Sequence, residues 1–111
     1  MIPSSVRIFV CVQPQDMRRS FDMLARAAQQ TVGVDPRGGA MFVFTNQRRS
    51  QLKVLWWDHN GYCLLYKRLH RALFRPPDPQ EPGEPSVQID RAVLGELLAG
   101  VATARRRADP A

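Results

Sequence analysis

The sequence predicts a single α+β domain, a mostly antiparallel sheet of four to five strands with two helices packed on one face. Three observations carry that prediction. Short runs rich in β-branched and aromatic residues are bounded by turn residues; three of them follow one another at hairpin spacing; and two stretches carry apolar residues at helical spacing. With 111 residues, 44% hydrophobic and 23% charged, the chain has the composition of a globular protein and the length for one core.

Arg7 to Val12 is the first strand, bounded by Pro3 and Pro14. Asp16 stands where a helix N-cap is expected. From Met17 onward, Phe21, Leu24, Ala25, Ala28 and Val32 form one apolar stripe, opposed by Arg18, Arg19, Asp22 and Arg26. Gly33 ends the helix, and Asp35 to Gly39 is turn chemistry.

Ala40 to Phe44 is the second strand, Asn46 to Ser50 a polar turn, and Gln51 to Trp57 the third strand. Asn60-Gly61 is the pair that type I′ hairpins favour, because both central residues need positive φ. Tyr62 to Arg68 is the returning strand. Leu69 to Arg75 reads as a turn followed by a short strand near Phe74. Pro76 to Pro85 holds five prolines in ten residues and is an exposed loop. Val87 and Ile89 suit a short last strand, after which Asp90 caps a helix carrying Val93, Leu94, Leu97 and Leu98, closed by Gly100. Residues 1–100 are thus one domain, and 101–111, with Arg105 to Arg107, a basic tail expected to be disordered.

Sixteen Lys and Arg against ten Asp and Glu give a net charge of +6, and the pI is near 10.4. Such a surface attracts polyanions, nucleic acid above all, although a basic surface also serves solubility alone. The charge is local. Arg48, Arg49, Lys53, Lys67, Arg68, Arg71 and Arg75 lie between Ala40 and Arg75 against one acid, Asp58.

A two-residue Asn60-Gly61 turn sets Trp57 opposite Leu64 on one face and Trp56 opposite Leu65 on the other. Consecutive strand residues point to opposite faces. One Trp is therefore assigned to the core and the other to the uncovered face, where it stacks bases amid cations or caps a cluster with Tyr62 or Tyr66.

Cys11 and Cys63 lie in apolar runs without ligand spacing and read as buried small hydrophobes, an inter-strand disulfide being the alternative. No secretion signal or membrane-length apolar window is present, so a cytoplasmic protein is expected. No metal, cofactor, phosphate-loop or nucleophile motif occurs, and no catalytic residue is assigned. An enzyme reading rests on Asp16, Asp22 or Asp58 with a metal, and it requires these carboxylates to converge.

The segments Asp16-Met17-Arg18-Arg19-Ser20-Phe21-Asp22, Phe42-Val43-Phe44, Lys53-Val54-Leu55-Trp56-Trp57-Asp58-His59-Asn60-Gly61 and Leu64-Leu65-Tyr66-Lys67-Arg68-Leu69 closely resemble the small accessory protein of bacterial insertion sequence sixty-six family elements. This is the second open reading frame product, TnpB, distinct from the RNA-guided nuclease of that name. The resemblance implies a protein needed for efficient transposition and encoded beside a larger transposase that holds the DNA-cutting carboxylates; its own biochemical activity does not follow from the family, and the absence of a catalytic motif makes a non-catalytic role the expectation. Two expectations follow: DNA binding through the basic Trp-containing hairpin, with Arg48, Arg49, Lys53, Trp56, Trp57, Lys67, Arg68, Arg71 and Arg75 as contacts, or docking on the transposase of the same element without touching DNA. Neither a cofactor nor a small-molecule substrate is expected.

Overall fold

A computed structural model describes residues 5–103; the expectations for Met1 to Pro3 and for Arg105 to Arg107 lie outside these residues. The elements run β1 (Ile8–Cys11), α1 (Phe21–Val32), β2 (Met41–Thr45), β3 (Gln51–Asp58), β4 (Gly61–Arg68), β5 (Ala72–Leu73), β6 (Ser86–Ile89), α2 (Arg91–Ala99) and β7 (Val101–Ala102). The main sheet has the order β4-β3-β2-β1-β6, and β5 pairs with β7 apart from it. Three of the four pairings in the main sheet are antiparallel, but β1 and β2 pair in parallel, Phe9 beside Phe42, with α1 as the crossover between them.

The two helices lie on opposite faces, which corrects the expectation that both cover one. Phe9, Cys11, Phe42, Phe44 and Leu55 pack with Leu24, Ala25 and Ala28 of α1. The alternate residues Ile8, Val10, Met41, Val43 and Val54 pack with Leu94 and Leu97 of α2. The cause is legible in the strands. Every residue of β1 and β2 is buried, so each strand carries apolar surface on both faces, and one helix can remove only one face from water.

Helix α1 starts at Phe21, after an N-cap at Ser20, and not at Met17. Asp16 competes for the backbone instead of capping it: its carboxylate accepts from the Arg18 amide at 2.9 Å, its carbonyl accepts from the Arg19 amide at 3.1 Å, and the chain makes a separate turn there. Phe21, expected on the buried stripe, is 42% exposed in the first helical turn. At the other end Gly33 takes φ 79° and its amide closes on the Gln29 carbonyl. Asp90 caps α2 as expected, accepting from the Val93 amide at 2.9 Å.

The hairpin turn is shifted by one residue. His59 and Asn60 carry the positive φ values, 45° and 47°, so Gly61 opens β4 opposite Asp58 and Trp57 faces Tyr62 instead of Leu64. That register brings Trp57 and Tyr62 into an edge-on ring contact at 4.9 Å between centroids, worth on the order of 1 kcal/mol. The two-residue change in pairing leaves every side chain on its expected face.

Beyond β4 the chain folds back. Phe74, 1% exposed, enters the α2-side core, and β5 pairs with β7 where a tail was expected, Ala72 against Ala102. No helix among the described residues is long and apolar enough to cross a membrane.

Candidate functional site

Asn46 organises the turn between β2 and β3. Its side-chain oxygen accepts from the amides of Ser50 and Gln51 at 2.9 and 3.0 Å, its side-chain nitrogen donates to the Ser50 hydroxyl, and its carbonyl accepts from the Arg49 amide. An Asx-type turn held this way leaves Arg48 and Arg49 exposed at its tip. Arg49 sits in the left-handed region, φ 62°.

Two further segments close on the same turn. The Leu69 amide donates to the Ser50 carbonyl at 2.9 Å and the Phe74 amide to the Arg49 carbonyl at 2.7 Å, which ties residues 69–74 beneath it. On the α1 side the Gln15 amide donates to the Thr45 carbonyl at 2.9 Å. The result is a cleft on each side of the turn. One, of ≈ 690 Å³, is lined by Arg49, Arg71 and Arg75 over Leu69, Leu73 and Val101; the other, of ≈ 490 Å³, by Asp16, Arg18, Asn46, Arg48, Gln51 and Tyr66. Arg68 pairs with Gln51 beside them. Among the described residues lining both clefts, Asp16 is the one acid. The Arg18 guanidinium grips it at 2.7 Å, and that side-chain hydrogen bond, with the Arg18 amide, holds its pKa down to about 2.

The structure therefore gathers Arg48, Arg49, Arg68, Arg71 and Arg75, and adds Arg18, which the sequence placed on a solvated helix face. No sequence signal could have joined Arg18 to this group, because the link is the tertiary bond from Gln15 to Thr45.

The two lysines differ from expectation. Lys53 is 7% exposed, and its ammonium donates to the Arg19 carbonyl at 2.7 Å while resting 4.9 Å from the Tyr66 ring centroid. It is buried beneath α1's lead-in because each face of the sheet is covered by a helix, α1 on the Lys53 side. Lys67 is exposed, and it donates to the Leu98 carbonyl at 2.7 Å, satisfying an acceptor at the C-terminal end of α2 that the helix itself leaves unpaired.

Trp56 and Trp57 are separated from this arginine group. They sit near the hairpin tip, and six strand steps from Gln51 to Trp57 span roughly 20 Å. Both are half-buried, on opposite faces as strand alternation requires. Trp57 is sandwiched by Tyr62 and by the Arg37 guanidinium, 4.8 Å from its ring. Trp56 joins the α2-side core and lines an apolar cleft of ≈ 370 Å³ with Val54, Leu65, Leu94 and Leu98.

The carboxylates do not converge. Asp16 lies at the arginine end with Gln51, Asp58 at the hairpin tip bonded to His59 at 2.9 Å, and no group of three or more His, Cys, Asp or Glu among the described residues is placed to hold a metal. Cys11 is buried and Cys63 half-buried, both free thiols on opposite faces; burial pushes the Cys11 thiol up to about 12.

Over residues 6–108 the sequence matches the family described as IS66 Orf2 like protein. Two proteins of Sinorhizobium fredii are similar to it. Uncharacterized protein y4hO is 39% identical over 103 residues, which cover 91% of this chain and 87% of the relative. Uncharacterized protein y4jC is 31% identical over 105 residues, covering 95% and 87%. No solved structure matches the chain.

Proposed function

The chain belongs to the IS66 Orf2 like protein family, and from that premise we propose that it is a non-catalytic accessory protein of DNA transposition that grips DNA phosphates with its arginine-rich end. The observation that carries this reading is the convergence of Arg48, Arg49, Arg71 and Arg75 on two clefts flanking one rigid turn. Guanidinium groups suit phosphate oxygens because their planar fork donates two parallel hydrogen bonds. Lys53, Trp56 and Trp57 drop out of the contact set: the first is buried, and the others lie at the far end of the hairpin. The contact is then electrostatic and tolerant of sequence. Titrating DNA binding against salt tests it. With Arg68 added to these four and Lys67 engaged by the Leu98 carbonyl, five phosphate contacts give a log–log slope near −4 to −5 on duplex DNA; a flat salt response, or no binding at low salt, overturns the reading.

A second reading is docking on the transposase of the same element without DNA. It is favoured by the apolar cleft under Trp56, since Trp and Arg anchor protein interfaces. Co-purification of the two proteins from nuclease-treated extract, abolished by Trp56→Ala and unaffected by Arg48→Ala, supports it.

A further inference from the structure

We propose that β4 is a self-association edge, along which two copies of this chain pair antiparallel over Gly61–Arg68 and merge two five-stranded sheets into one of ten strands. Strand β4 ends the sheet order, and among the described residues no element pairs with its outer side. The two-residue turn makes Asp58 and Gly61 a hydrogen-bonded pair. In an antiparallel ladder such pairs alternate, so Tyr62, Leu64, Tyr66 and Arg68 direct their amides and carbonyls outward.

Natural sheets guard such an edge with proline, bulges, very short strands or charged side chains, and in β4 charge is confined to Lys67 and Arg68 at one end. Edge strand β6 has those guards, being four residues long and preceded by Pro85. Strand β4 has eight residues, no proline and an unbroken register with β3. It also exposes Leu65 and Tyr66, at 39% and 53%.

The charges select a second copy as the occupant. The strand ends in Lys67 and Arg68, and at its start stands the exposed Asp58 of the hairpin tip. Antiparallel apposition sets each acidic tip beside the other copy's basic end; parallel apposition lays Lys67 and Arg68 against themselves, which is repulsive. A two-fold axis perpendicular to the sheet keeps α1 faces together, so only residues of the same face pair. With Leu64 on the axis, Tyr62 meets Tyr66 of the second copy, and Asn60 meets Arg68.

Sedimentation velocity on the full chain without DNA tests this independently of the phosphate reading. The expected species has twice the 12.6 kDa chain mass. Tyr66→Pro removes an outward amide and no β3–β4 ladder bond, and it should yield monomer with an unchanged far-ultraviolet spectrum; Tyr66→Phe should remain dimeric. Leu64→Cys in a Cys63→Ser background should oxidise to a cross-linked dimer, since a hydrogen-bonded pair on the axis has Cα atoms about 5.5 Å apart. Monomer at every concentration overturns the proposal. So does a dimer that Tyr66→Pro leaves intact and that Leu64→Cys fails to cross-link.

Discussion

The ammonium of Lys53 donates a 2.7 Å hydrogen bond to the backbone carbonyl of Arg19, binding the middle of β3 to the segment that leads into α1. A hydrogen bond from a buried charged donor contributes about 1.5–3 kcal/mol. Lys53→Ala should therefore lower urea-unfolding stability by about 2 kcal/mol and leave the salt slope of DNA binding unchanged. A smaller slope in this variant would make Lys53 a phosphate contact after all.

Arg49 separates stability from binding. With φ 62°, a side chain there costs about 1 kcal/mol that glycine does not, while its backbone bonds to Asn46 and Phe74 persist in Arg49→Gly. The variant should unfold at higher urea and bind DNA more weakly, its salt slope reduced by about one. Fluorescence anisotropy at several salt concentrations reads the second effect.

Gly100 fits where no other residue does. An added Cβ meets Leu69 Cδ1 at 2.5 Å and the Leu73 carbonyl oxygen at 3.3 Å, with φ at +76°. Gly100→Ala should cost about 2 kcal/mol through overpacking and left-handed backbone strain. Adding Leu69→Ala should remove the steric part less than fully, which a double-mutant cycle on thermal unfolding would show as coupling.

The carboxyl of Asp16 is held near pH 2 by the Arg18 side chain and amide, below the ordinary 3.8. The sign follows: ionised Asp16 favours the fold above about pH 4, and that contribution is lost as pH falls toward 2. The midpoint of urea unfolding should fall less between pH 4 and pH 2 in Asp16→Asn than in wild type.

Thiol labelling should be sequential. Cys63, half-buried on β4, should react with an aromatic disulfide reagent at pH 8 in the folded protein, whereas Cys11, buried with its thiol raised to about 12, should react only with unfolding. Two thiols reacting at one rate in native buffer would contradict the burial of Cys11.

Local chemistry was readable where it acts over a few residues. The Asp90 cap, the Gly33 stop, the proline loop and the existence of the hairpin all follow from side-chain and backbone preferences at single positions. The covering of both faces was also written in the chain, in the uninterrupted apolar runs Ile8–Cys11 and Ala40–Phe44, a pattern of doubly buried strands that differs from the alternation of a half-exposed sheet. The hairpin register was not readable from the Asn60-Gly61 preference alone, because the positive φ values fall on His59 and Asn60 and Trp57 pairs with Tyr62. The separation of tryptophans from arginines needed that register together with the fold-back of residues 69–74, which depends on long-range backbone bonds.

Packing helices against both sides of the sheet has a consequence for how the sequence can vary. In β1 and β2 neither odd nor even positions are spare, so saturation mutagenesis should show no every-other-residue rhythm of tolerance there. The contacts proposed above use turns, the free strand and the hairpin, outside β1 and β2. The residues of β1 and β2 are thereby committed to holding the fold together.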